Sequence, residues 1–244
     1  MGTIFAVGIG PGGKTGMTIE AVEAIDRSDV IVGYEMYAEQ VRAIWPEKDI
    51  RSSGMRQEKE RCSEAIELAA GGKTVAVVSS GDAGVYGMAG LLTELGRDRD
   101  DIEIAVVAGV TAALSGAARL GSPLTNDFCV ISLSDLLTPW ETIERRLSAA
   151  AGGDFVTVLY NPGSHRRTDN LKKACEIMLQ SKPASTPCGL IRSIGREDES
   201  YRLVTLQELR DTEVDMVTTV FIGNRDTEII GDKMVTKRGY HTEG

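Results

Sequence analysis

Short apolar, β-branched runs alternate through the first half of the chain with longer stretches whose apolar residues recur every three or four positions. The runs Thr3–Val7, Asp29–Val32, Thr74–Val78 and Ile102–Val107 are read as strands, and Thr18–Arg27, Glu35–Ile44, Glu58–Ala70 and Val85–Leu95 as helices. Alternation of this kind predicts a parallel sheet with right-handed crossovers. Thr18 stands before its periodic run as an N-cap, although Ala21 three positions on denies it a full capping box. Gly71-Gly72 and Gly96 are expected to end helices where a left-handed residue is wanted.

The texture changes at Ala117 to Thr125, where Gly121 and Pro123 mark a short linker. Beyond it the pattern reads strand Phe128–Leu133, helix Trp140–Ala151, strand Phe155–Tyr160 and helix Thr168–Gln180. A more β-rich end follows, with Cys188–Ile194, Tyr201–Thr205, Val217–Ile222 and Lys233–Thr236. The expectation is two α/β domains, residues 1–119 and 120–244, without internal repeats. Ligands of open α/β sheets sit beyond the carboxyl ends of strands. Four turns stand in that position: Gly8–Gly13, Ser79–Gly84, Ala108–Ala112 and Asn161–Ser164.

Charge narrows the partners. Lys plus Arg is 27 against 36 for Asp plus Glu, a net −9, which argues against nucleic acid as the main ligand. A local arginine cluster could still receive an anionic small molecule. Cys62, Cys129, Cys175 and Cys188 form no Cys-x-x-Cys pair and read as free thiols in a reducing compartment. With His165 and His241 the only histidines, no protein-bound metal is expected. No apolar stretch approaches the roughly 20 residues that span a bilayer. The strand-like start shows no basic-then-apolar leader, so a cytoplasmic location is expected.

Gly8-Ile9-Gly10-Pro11-Gly12-Gly13-Lys14-Thr15 satisfies two nucleotide patterns at once. Gly8, Gly10 and Gly13 match the dinucleotide fingerprint, with Glu35 after the second strand as the candidate ribose ligand; Gly8, Gly13, Lys14 and Thr15 match the P-loop of nucleotide triphosphatases. Neither is physically comfortable. A phosphate cradle aims successive N–H groups at the anion and starts its helix at once. Pro11 removes a donor, Gly16 weakens helix initiation, and helical periodicity begins only near Thr18. A turn that lines a cleft, its glycines admitting a ligand close to the backbone, fits better. A turn that merely joins strand to helix is the bland alternative.

The segment Gly8-Ile9-Gly10-Pro11-Gly12 resembles the tetrapyrrole methylase family when taken with Gly81-Asp82-Ala83-Gly84-Val85-Tyr86-Gly87, Ala108-Gly109-Val110-Thr111-Ala112-Ala113 and Leu159-Tyr160-Asn161-Pro162. Each piece alone is weak, but four in this order span about residues 3 to 240. Three further pieces are similar to the precorrin-3B C17-methyltransferase branch: Ser53-Gly54-Met55 with Glu58 and Arg61, Ser132 to Trp140, and Tyr160 to Arg167. The resemblance implies a class III methyltransferase-like α/β fold: two αβα domains with a cofactor cleft between them, usually paired as a homodimer. It implies S-adenosyl-L-methionine as cofactor and methylation of C17 of precorrin-3B or cobalt-precorrin-3 with ring contraction, in cobalamin biosynthesis. Some longer relatives add a Cys-rich iron–sulfur extension that this sequence lacks, and metal-free and cobalt-bearing substrates both stay open. Another tetrapyrrole methylase of this fold, and a P-loop nucleotide-binding protein, are the alternatives.

By the same resemblance the cofactor touches Pro11, Ser80, Gly81, Asp82, Val85, Thr111, Ala112, Asn161, Ile194 and Thr219. Gly10, Met55, Ser134, Arg166 and Arg167 are the substrate candidates, with Tyr34 and Trp140 beside them. Methyl transfer is an in-line displacement that needs positioning more than acid–base help. Ring contraction needs a proton acceptor; His165 and Tyr34 are weak candidates for a catalytic role. Arg56, Arg192 and Arg196 join the arginine pair as cations for substrate carboxylates. Bland readings compete throughout: Asp82 and Thr111 as helix caps, Val85, Ala112 and Tyr86 as core, Asn161-Pro162 as a turn, the arginines and His165 as surface.

Overall fold

The computed structural model describes residues 1–164 and 168–240. It forms two compact units, Met1–Ala112 and Ala113–Gly244. In the first unit β1 (Gly2–Gly8), β2 (Val30–Tyr34), β3 (Asp49–Ser53), β4 (Thr74–Ser79) and β5 (Ile102–Val107) make one sheet in the order β3-β2-β4-β1-β5. Every pairing in it is parallel, as the alternating pattern predicts. Helices α1 (Ile19–Arg27), α2 (Glu35–Ile44), α3 (Glu58–Ala70) and α4 (Ala89–Leu95) cover it.

Successive residues of a strand point to opposite faces, so a sheet covered on both sides needs apolar residues at both parities. Ile4, Ala6, Val75 and Val77 pack with Cys62, Ala65, Ile66 and Leu92 of α3 and α4. Phe5, Val7, Ala76 and Val78 pack with Ala21, Ala24, Ile25 and Val41 of α1 and α2. The strand order has a consequence for function. From β1 the chain crosses over to β2 on one side, whereas from β4 it crosses to β5 on the other, while β1 and β4 are neighbours. Their carboxyl ends therefore flank a topological switch point, where crossovers part and leave a crevice.

Three details differ from the sequence expectation. The polar strand β3 has no apolar alternation because it is a sheet edge with mostly exposed side chains. The helix expected from Val85 starts only at Ala89, since residues 82–88 fold into tight turns with Tyr86 at φ 55°. Gly72 is left-handed (φ 88°), but Gly96 has φ −90°. A Cβ at position 96 would lie 2.5 Å from the Ile104 Cδ1 and 3.1 Å from the Leu92 carbonyl oxygen, so a side chain there requires Ile104 to shift.

In the second unit α5 (Ala112–Leu120) leads through β6 (Gly121–Ser122) into β7 (Phe128–Ser132), α6 (Trp140–Gly152), β8 (Val156–Tyr160) and α7 (Asn170–Met178). Then come β9 (Pro187–Arg192), β10 (Ser200–Thr205), α8 (Leu206–Arg210), β11 (Thr218–Ile222), β12 (Thr227–Ile230) and β13 (Lys233–Thr236). The main sheet runs β10-β9-β11-β8-β7 and is mixed: β7 and β8 are parallel, while β11 runs against both neighbours. One face packs Ile143, Leu147, Leu171, Met178, Leu206 and Leu209 of α6, α7 and α8. The linker expected at Ala117 to Thr125 is corrected: α5 runs on to Leu120, and Gly121 and Ser122 pair as a short strand with β13.

A buried ion pair ties this unit together. Lys182, its side chain 2% exposed, donates from Nζ to Asp154 Oδ1 (3.0 Å) and to the Gly223 carbonyl (3.0 Å). Asp154 also accepts from Arg225 Nε at 2.7 Å. Burial by itself would raise the Asp154 carboxyl, yet the bonds from Arg225 and Lys182 outweigh it and hold the group below its ordinary 3.8. A depressed carboxyl stabilises the fold above its unfolded value and loses that contribution as the pH falls through the folded one. Lys182→Met should cost about 3 kcal/mol in urea denaturation at neutral pH, because it strands part of a buried charge. The deficit should shrink below pH 3.8; a deficit that does not change with pH would mean the pair contributes only packing.

Candidate functional site

Three backbones meet at the switch point. Gly10 N–H donates to the Gly81 carbonyl (3.0 Å) and Gly81 N–H to the Gly10 carbonyl (2.8 Å), an antiparallel bridge between the turns after β1 and β4. Both glycines are left-handed (φ 69° and 67°), which side chains resist. The turn after β5 closes on the same point. A Cβ built on Gly109 would lie 2.1 Å from the Gly81 carbonyl oxygen and 2.5 Å from that of Gly8. No side chain fits there.

Asp82 holds the junction shut. Its Oδ1 accepts from Gly84 N–H at 2.8 Å, closing its own turn, and its Oδ2 accepts from Gly109 N–H at 2.9 Å, reaching the turn after β5. It is no helix cap, since α4 starts at Ala89. Thr18 makes a second clasp: it accepts from Ala21 N–H as the N-cap of α1, and its hydroxyl donates to the Ala108 carbonyl at 2.9 Å. Sequence reasoning does not single out Gly8, Gly109 or Thr18 as ligands. Gly8 and Gly109 lie inside the strand-end motifs, but only the closeness of the three turns gives them a role.

The P-loop reading fails on geometry. Residues Lys14–Gly16 form a 3₁₀ turn, Thr18 is extended, and α1 begins at Ile19. Gly10 N–H is engaged by Gly81, Ile9 N–H by the Ser79 carbonyl and Gly16 N–H by Gly13. The Lys14 ammonium lies 5.0 Å over the Trp45 ring, on the α1–α2 side of the sheet.

Pro11, Ser80, Asp82, Val85, Thr111 and Ala112 are half-buried around the buried Gly10 and Gly81. The point where a Gly81 Cβ would stand is 3.5 Å from Thr111 Cα. These first-unit candidates thus share one strand-end rim. Among these described residues it offers hydroxyls, amides and a carboxylate but no cation, a donor set suited to an adenosyl group carrying a positive sulfonium and unsuited to a triphosphate. Tyr86, expected in the core, is 59% exposed. Tyr34 ends β2, half-buried, edge-on to Tyr37 (5.3 Å between ring centroids). Met55 is exposed just past β3.

In the second unit Asn161, Ile194 and Thr219 gather at one edge of the sheet, because β8 and β9 end where antiparallel β11 begins. Asn161 is left-handed (φ 52°) and donates from Nδ2 to Ser132 Oγ at 3.0 Å, and Ser134 N–H donates to the same oxygen at 3.2 Å. Ile194 and Thr219 are buried. Trp140 packs against the second-unit core, with the Lys173 ammonium 5.6 Å over its ring. Arg192 is already bridged to Asp198 (2.6 Å) and Asp215 (2.8 Å), so its charge is compensated. His165, Arg166 and Arg167 lie outside the described residues. All four cysteines are free, and burial pushes the Cys62 thiol up to about 11, far from a thiolate nucleophile.

A parallel sheet with a glycine-lined switch point defines an α/β protein built to take a small ligand at its strand ends. The family model of the Tetrapyrrole (Corrin/Porphyrin) Methylases matches residues 3–210. The chain belongs to this family. Its sequence is 46% identical over 235 residues to a Salmonella typhimurium protein named Probable cobalt-factor III C(17)-methyltransferase, covering 96% of this chain and 98% of that one. It is 40% identical over 233 residues to the Precorrin-3B C(17)-methyltransferase of a Sinorhizobium species, covering 94% and 91%. The crystal structure of the methyltransferase CobJ superposes with a TM-score of 0.90 at 34% identity, over 97% of this chain and all of that one.

Proposed function

We propose that the chain transfers the methyl group of S-adenosyl-L-methionine to C17 of a cobalt-bearing precorrin-3-type macrocycle, with ring contraction, in corrin biosynthesis. The observation that carries the cofactor assignment is the Gly8–Gly81–Gly109 junction braced by Asp82. Identity of 46% to a relative named for cobalt-factor III, against 40% for one named for precorrin-3B, supports the cobalt-bearing substrate over the metal-free one.

When bound, S-adenosylmethionine supplies an electrophilic methyl on a sulfonium. The chain's part is to hold both partners at attack distance, which needs a rigid wall more than a strong acid or base. Gly10 and Gly81 give a backbone surface without side chains, Val85 and Ala112 an apolar border, and Ser80, Asp82 and Thr111 polar groups for the adenosyl and amino-acid parts. Asn161, Ile194 and Thr219 complete the proposed cofactor contacts. Gly10, Met55, Ser134, Arg166 and Arg167 are proposed for the macrocycle. Tyr34, with the Arg61 guanidinium 6.0 Å from its ring centroid, is the described candidate for moving a proton during contraction.

The cofactor assignment is tested by calorimetry. S-adenosylhomocysteine should bind with a micromolar Kd and Mg-ATP should give no heat; the reverse pair of results would return the glycine loop to nucleotide binding. No helix among the described residues is long and apolar enough to cross a membrane. A cytoplasmic homodimer is proposed as the working form, which sedimentation at micromolar concentration checks.

A further inference from the structure

Arg61 in α3 is 3% exposed, and among the described residues no carboxylate lies within ion-pair distance of it. An arginine cannot shed its charge, so burying one costs several kcal/mol unless its donors are satisfied. Here they are spent almost entirely on one turn. Nε donates to Ser53 Oγ (3.0 Å), and Nη2 donates to the Gly54 carbonyl (3.0 Å) and the Ser53 carbonyl (3.4 Å). Gln57 Oε1 accepts from Gly54 N–H at 2.8 Å and fastens the same turn from its other end. Nη1 meets only the Met88 sulfur, at 3.5 Å, a weak acceptor.

The turn so fixed carries a strained residue. Arg56 has φ 67°, a conformation that costs a side-chain-bearing residue energy and persists only where its surroundings impose it. Arg56 and its neighbour Met55 are exposed, just beyond the carboxyl end of edge strand β3, on the same carboxyl-end side of the first-unit sheet as the glycine junction after β1 and β4. An apolar thioether beside an exposed guanidinium, held by a buried cation instead of a carboxylate, is a surface prepared for an anion with apolar flanks.

We propose that Arg56 binds a carboxylate of the substrate, and that Arg61 is the positioning residue that sets the Ser53–Gln57 turn so that Arg56 can do so. This rests on the tetrapyrrole substrate proposed above, whose ring carries carboxylate side chains. Charge-assisted contacts of a guanidinium to a carboxylate are strong, and a lysine ammonium, a point charge, does not reproduce their planar geometry.

The test uses the full chain with cobalt-factor III and S-adenosylmethionine. Arg56→Asn removes the charge while keeping a residue that tolerates the left-handed backbone. It should raise KM for the macrocycle about tenfold, the loss of one charged hydrogen bond, with kcat and the Kd of S-adenosylhomocysteine within about twofold. Wild-type KM should rise with added salt, and the Arg56→Asn slope should be flatter. Arg61→Lys should raise KM similarly, and Arg61→Lys combined with Arg56→Asn should be no worse than Arg56→Asn alone, because both act through one contact. Additive effects, or a KM for Arg56→Asn within twofold of wild type, overturn the inference while leaving the methyltransferase reading in place. A wild-type chain that neither binds nor converts the macrocycle overturns both.

Discussion

Gly109→Ala should lower the melting temperature by about 6–12 °C and leave no measurable binding of S-adenosylhomocysteine. The added methyl would sit 2.1 Å from the Gly81 carbonyl oxygen and 2.5 Å from the Gly8 carbonyl oxygen. Both obstacles are backbone, so no rotamer change relieves them. The β5 turn would have to withdraw, breaking the Gly109 N–H bond to Asp82. Overpacking that displaces backbone costs about 3 kcal/mol, which corresponds to the stated shift for a chain of this size. Binding should suffer more than stability, because the withdrawn turn carries Thr111 and Ala112. Melting unchanged within about 1 °C would mean that the three backbones do not close on one another in solution.

Asp82→Ala should come second. It deletes two charge-assisted bonds and leaves a half-buried N–H without an acceptor, a loss of about 1.5–3 kcal/mol. Cofactor affinity should fall by more than tenfold along with it, since the bridge between Gly10 and Gly81 loses its brace. Asp82→Asn should stay nearer to Ala than to Asp, because one carboxylate oxygen becomes an NH₂ facing another N–H. From sequence alone a lost cofactor contact would weaken binding and leave stability intact. The observed geometry predicts a joint loss. Weak binding at an unchanged melting temperature, measured by calorimetry and circular dichroism, would make Asp82 a plain ligand after all.

The strands of the first unit were legible because burial on both faces leaves nearly uninterrupted apolar runs, as in Ile4–Val7 and Val75–Val78. Edge strand β3 was not, since its side chains are mostly exposed and Asp49, Arg51 and Ser52 carry no apolar signal. The four strand-end turns could be picked out, but not what they do to one another. Asp82 and Gly109 are 27 positions apart, and no local pattern couples a carboxylate to an amide at that distance. The start of α4 was misplaced for a related reason: helical periodicity continues through Val85, while Asp82 and Tyr86 bend the backbone into turns. Arg61 carried a resemblance without a role, because burial and the lack of an acidic partner are visible only in three dimensions.

The most direct test of the account is conversion of cobalt-factor III by the purified chain with methyl-labelled S-adenosylmethionine, the product followed by mass and absorption spectra. One labelled methyl on C17 in a ring-contracted macrocycle is the expected product. A methylated ring that has not contracted, or a label on another carbon, would contradict the C17 assignment and place this chain's chemistry elsewhere among the tetrapyrrole methylases.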